Sequence, residues 1–139
     1  MTQGRSTDRP FTWNHMMSRS RSNADPSEIL AFATDAAKVL RDDKCDEVTL
    51  LDVRGLSQVS DFVLIASGTS ERQMKTAAQS VEDLGKERGT PHYKSTRDTG
   101  TTWIVVDFVE TVVHLFEPDH RLYYDLESLW SEGRKVNWD

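Results

Sequence analysis

This 139-residue chain has a single cysteine, Cys45, so it cannot form an internal disulfide, and it has no cysteine cluster for a metal. Neither a membrane-length apolar run nor a signal-peptide apolar core is present, and a soluble, cytoplasmic protein is expected. Past residue 24 basic charge is scarce. Residues 1–24 hold Arg5, Arg9, Arg19 and Arg21 against Asp8, whereas the remainder carries 13 basic and 22 acidic residues, a net of −9. Gripping nucleic acid means neutralising phosphates with Lys and Arg, so a body this acidic excludes extensive direct contact with it. A basic protein surface is the better electrostatic match.

The familiar catalytic signatures are missing as well. There is no G-x-G-x-x-G fingerprint, no P-loop, no G-x-S-x-G elbow around Ser67, and no H-E-x-x-H among His15, His92, His114 and His120. Ser67-Gly68-Thr69-Ser70 lies where a strand gives way to a helix, a place that can hold an anion, but a tight turn with a cap explains it equally. Asp42, Asp43, Asp46 and Glu47 read as a solvated loop. No catalytic residue, metal ligand or cofactor site is expected.

What is present is a single domain's worth of alternating elements. The Ser/Arg-rich residues 1–24 read as a disordered tail and residues 25–139 as one domain. Asp25-Pro26-Ser27-Glu28 is a helix start, followed by the stripe Ile29, Phe32, Ala33, Ala36 and Leu40. Strands are predicted at 47–55 and 61–68. The unbroken Phe62–Ala66 run implies a central strand buried on both faces and covered by helices. Ser70 and Gln73 open a second helix with the stripe Met74, Ala77, Ala78, Val81 and Leu84, closed by Gly89-Thr90-Pro91. A weak strand near 92–97, a hairpin over 101–118 and a short last helix around 119–130 follow. The order α-β-β-α-β-β-β-α predicts an α/β fold, a mixed sheet of about five strands flanked by helices.

The hairpin is the unusual part. Ile104, Val106 and Phe108 share one face of its first strand, and Trp103, Val105 and Asp107 the other. A reversal around Val109-Glu110 brings Val112, His114 and Phe116 onto the Trp103 face. That face mixes a tryptophan with apolar residues, a histidine and a carboxylate. It is too apolar for a plain solvent face and too polar for pure core. Two readings fit it: Asp107 caps the turn while Trp103 fills a satellite cluster, or an aromatic anchor ringed by carboxylates meets a basic partner. His114 reads as a packed, hydrogen-bonded histidine.

The segments LDVRGLSQVSDFVLIASGTSERQ, WIVVDFVETVVHLFEP and YYDLESLW…VNWD resemble the ribosomal silencing factor family, also called the Iojap-related family, from about Ser27 to the end. The resemblance implies a nucleotidyltransferase-like fold without the enzyme: no Asp-x-Asp follows the Ser67-Gly68 turn. It further implies binding to the large ribosomal subunit through its protein fourteen, block of subunit joining and repression of translation. The expected partner-binding residues are Trp103, Asp107, Glu110, His114 and Phe116, with Tyr123, Tyr124 and Trp130 alongside or beneath. Family turns read Leu-Gly-Asp or Tyr-Gly-Asp where this chain has Phe108-Val109-Glu110. A β-branched residue resists positive φ, so a different or longer turn is expected. Self-pairing of the sheet face when unbound is compatible with this pattern. The alternatives are a nucleotidyltransferase-type enzyme and an interaction module for another basic partner.

Overall fold

Asp25 starts the first helix, α1 (Pro26–Asp42): its Oδ1 accepts from the Ser27 N–H at 3.0 Å, and Pro26 occupies a position whose missing N–H costs nothing. The computed structural model describes residues 25–58, 60–90, 94–96, 103–118, 121, 128 and 130–139. α1 ends where Lys44 adopts a φ of 74° and Cys45 N–H reaches back to Leu40 O, capping the last turn. The chain then enters β1 (Asp46–Asp52), irregular at Glu47, and β2 (Phe62–Ser67), all six of whose residues are buried.

Helix α2 (Glu71–Glu87) is capped by Ser70, whose Oγ accepts from Gln73 N–H at 3.0 Å, while Gln73 Oε1 accepts from Thr69 N–H at 3.0 Å. The first bond joins the capping pair predicted from Ser70 and Gln73, and the second reaches one residue further back, to Thr69. Gly68 is required beside them, because a Cβ there would collide with Met74 Cγ. Three further strands follow α2: β3 (Lys94–Thr96), β4 (Trp103–Asp107) and β5 (Thr111–Phe116). A two-residue strand, β6 (Arg134–Lys135), was not predicted.

The sheet order is β3-β4-β5-β2-β1-β6, with β2 and β5 parallel and every other pair antiparallel. This is the mixed α/β sheet expected, with β2 inside it. Both helices pack on one face. Phe32, Ala36 and Leu40 of α1 and Met74, Ala78 and Val81 of α2 close over Leu50, Leu64, Ile104, Val106, Val113 and Leu115. The second face of β2 is buried as well. Val63 and Ile65 pack there with Leu51, Val53 and Phe116, roofed in part by Trp103 and Trp130. The predicted last helix around 119–130 lies largely outside the described residues.

The C-terminal segment straps the β1 edge. Arg134 Nη2 donates to Asp52 Oδ2 at 2.7 Å, Val136 N–H to Leu50 O at 2.8 Å, and Trp138 Nε1 to Val48 O at 3.3 Å. Among the described residues no helix is long and apolar enough to cross a membrane.

Candidate partner-binding face

The register of β4 against β5 follows the period-two reading. Trp103 lies opposite Phe116, Val105 opposite His114, and Asp107 opposite Val112, all on the face away from the helices. The other set, Ile104, Val106 and Phe108, is fully buried in the main core. Phe108 meets Phe32 edge-on at 5.0 Å between ring centres. It also lies against α2 at Gly85, where a Cβ would come within 2.7 Å of its ring. Phe108 therefore pins the hairpin tip into the core.

The turn itself is as short as a hairpin allows. Phe108 N–H bonds Thr111 O at 2.8 Å, leaving Val109-Glu110 as a two-residue loop. Val109 takes a φ of 79° and Glu110 donates to Phe108 O at 3.0 Å. Positive φ at one residue bridged by an i→i+2 bond is the classic γ-turn, rare and strained for a residue with a side chain. The expectation that valine would avoid positive φ through added length is thus corrected: the loop has two residues, and the β-branched residue takes the strained conformation. Two observed restraints hold it there, namely the buried Phe108 anchor and a 2.7 Å bond from Val109 N–H to Asp107 Oδ1.

On the outward face the side chains form two levels. The floor is Phe116, 0 % exposed, set among Leu51, Val53, Val63 and Ile65. Above it Trp103, Val105, Asp107, Val112 and His114 are each partly buried. Trp103 stacks on Phe116 at 5.1 Å with 25° between planes, and its Nε1 donates to His114 Nδ1 at 3.1 Å. Burial alone pushes the His114 imidazole down to about 4, so it is neutral near pH 7, with the proton on Nε2 and Nδ1 as acceptor. His114 is the packed, hydrogen-bonded histidine predicted from the strand.

Three expected contact residues are placed differently from the rest. Phe116 is buried and supports Trp103 from beneath, with no surface of its own to offer. Glu110, 9 % exposed, lies on the helix side, lining a small cavity with Glu28, Ile29, Phe32, Thr90, Phe108 and Thr111. The reason is the turn: two loop residues carry the chain from the Asp107 side to the helix side, and Glu110 follows Phe108. Trp130 packs against the Phe116 cluster, the beneath alternative. Tyr123 and Tyr124 lie outside the described residues.

Two polar features of the sheet had little or no signal in the sequence. Arg121, 6 % exposed, donates to Glu47 O at 2.8 Å and Ser67 Oγ at 3.0 Å, with Thr49 Oγ1 at 3.3 Å. It ties the C-terminal segment to β1 and β2, and no local pattern marks it. Asp52, on the helix side of β1, accepts Arg54 Nε at 3.0 Å and Arg54 Nη2 at 2.7 Å, together with Arg134. The Arg54 fork holds its carboxyl down to about 2, against a smaller opposing cost of burial. The Asp52-x-Arg54-Gly55 motif was the available clue.

The Ser67–Ser70 turn is a cap and a close approach. Gln73 fills it and also donates to Asp43 O at 2.7 Å. Among the described residues no three His, Cys, Asp or Glu side chains gather as a metal site. The outward face is suited to binding a protein surface, with an aromatic plane, aliphatic neighbours and a carboxylate.

Comparison with known proteins agrees with this architecture. A family model described as "Ribosomal silencing factor during starvation" matches residues 26–139. Proteins named ribosomal silencing factor from Halalkalibacterium halodurans and Bacillus subtilis are 33% and 34% identical to it. The first alignment covers 78% of this chain and 91% of the relative, the second 75% and 88%. An Arabidopsis thaliana protein named Iojap-related, mitochondrial, is 33% identical over 89% of this chain and 69% of its own length. A crystal structure of a Chromobacterium violaceum protein superposes with a TM-score of 0.70 at 33% identity, covering 82% of this chain and 92% of that one. This chain belongs to the ribosomal silencing factor family.

Proposed function

We propose that this protein silences ribosomes by occupying the large subunit at the surface where the small subunit docks. Its outward sheet face would meet a basic ribosomal protein, which the family resemblance implies is protein fourteen. Bound there, the domain keeps the subunits apart by its bulk, without chemistry, and represses translation. The protein acts as a cytoplasmic, non-enzymatic regulator in this reading.

The observation that carries it is the partly exposed Trp103 with Asp107 four residues on, along the same strand face. A large aromatic held rigidly by a stacked floor loses little entropy on binding and is the residue type that dominates interface energies. The adjacent carboxylate and the −9 body supply attraction and orientation toward a basic surface. The test is sedimentation of purified subunits with added protein. Co-migration with large subunits and fewer joined ribosomes are expected; co-migration with neither subunit would sink the proposal.

A further inference from the structure

We propose that His114 is a positioning residue for partner binding, acting through the Trp103 indole and not by touching the partner. This inference rests on the reading of the face given above. Stacking on Phe116 at 5.1 Å fixes the plane of the indole but not its direction within that plane. The second torsion of a tryptophan is broad and roughly two-fold, so a flipped ring also stacks. The bond from Trp103 Nε1 to His114 Nδ1, 3.1 Å long, distinguishes the two orientations. Only with Nε1 toward His114 is the indole donor satisfied by that acceptor, and a partly buried N–H left without one is costly.

The histidine is built to accept. Its ring lies at 9° to the Phe116 plane with centres 6.3 Å apart, and at 34° to Trp103 at 5.9 Å, so three rings hold one another. The strand register sets its place, since His114 pairs with Val105 on one side and Ile65 on the other. Burial keeps the ring neutral, so one nitrogen is bare, and the indole donation makes that nitrogen Nδ1. A preset anchor binds more tightly than one that must first be ordered.

Two substitutions separate acceptor from ring. Asparagine places its Oδ1 close to where Nδ1 stands, so His114→Asn keeps the acceptor and drops the ring. His114→Phe keeps the ring and drops the acceptor. In the free, full-length protein the Trp103 indole N–H is followed by 15N NMR and hydrogen exchange, its resonance identified by its loss in Trp103→Phe. His114→Phe is expected to shift that signal and speed its exchange, and to weaken large-subunit binding about tenfold. His114→Asn is expected to hold the exchange rate and to bind within about threefold of the parent. Melting temperature is measured alongside, so that binding is compared only between folded proteins. An unchanged indole signal in His114→Phe overturns the proposal. So does weak binding by both variants with the indole unperturbed, which would mean that His114 touches the partner itself. If the parent does not bind large subunits, the proposed function fails and the proposal falls with its target. The indole signal would then report only whether His114 orients Trp103.

Discussion

Asp107 accepts a hydrogen bond across the hairpin tip from the backbone N–H of Val109, 2.7 Å away. One carboxylate thus serves the turn and the outward face together. A carboxylate offers about four lone-pair sites, and this bond uses one of them. The two roles separate by substitution. Asp107→Asn retains an oxygen for Val109 and removes only charge, whereas Asp107→Lys reverses it.

Binding of large subunits is therefore expected to fall in the order parent, Asp107→Asn, Asp107→Lys, because repulsion is worse than lost attraction. Glu110→Lys should change affinity much less, since Glu110 lines the helix-side cavity and not this face. The check is a titration of isolated large subunits at two salt concentrations. Affinity should weaken with salt, without the steep slope of a protein that neutralises many phosphates. Parent-like binding by Asp107→Lys would remove carboxylate pairing from the account.

Val109 carries a conformation that suits glycine. Holding a β-branched residue at positive φ costs on the order of 1–3 kcal/mol. Glycine removes that strain but adds unfolded-chain entropy worth about 0.5–1 kcal/mol. Val109→Gly should accordingly leave stability unchanged within about 1 kcal/mol, or raise it. Val109→Pro loses the N–H given to Asp107 and forbids the observed φ of 79°, so a loss of about 3 kcal/mol or more is expected. Denaturant melts of both variants check the pair, and a strongly destabilised Val109→Gly would contradict the strain assignment.

Acid should act on this face through His114. Its ordinary value is near 6.5 and its folded value about 4. The unfolded chain therefore takes a proton that the folded one refuses as pH falls from about 6.5 toward 4. The stabilising contribution is fully present above pH 6.5 and is lost across that window, amounting to roughly 3 kcal/mol. His114→Asn has no such group, so its stability should fall less between pH 7 and 4.5 than the parent's. Equal pH slopes would show that His114 is not neutral because of its burial.

Much of this was legible from residue patterns. Period two placed Trp103, Asp107, Val112, His114 and Phe116 on one face, and a continuous apolar run placed β2 inside the sheet. These are local rules, satisfied wherever alternation is clean. Other features depended on contacts remote in sequence. Phe116 looked like a surface aromatic because alternation gives its face but not its cover, which comes from Val53, Val63 and Ile65. Glu110 looked adjacent to Asp107 because turn geometry decides which side a loop residue takes. Val109 seemed to forbid a tight turn on intrinsic preference, and the buried Phe108 together with Asp107 overrode it. The C-terminal strap has no periodicity, and its bonds to Asp52, Leu50 and Val48, remote in sequence, reveal it.

The most direct test is gradient sedimentation of large and small subunits with equal amounts of parent, Trp103→Ala and Asp107→Lys, each confirmed folded by its melting curve. Trp103→Ala should lose some stability, since the indole stacks on Phe116, yet it should also lose about 30- to 1000-fold in affinity as a central interface aromatic. The parent should travel with large subunits and deplete joined ribosomes, while both variants stay at the top of the gradient and leave joining intact. Folded variants that travel with large subunits as the parent does, and block joining equally, would contradict the assigned binding face.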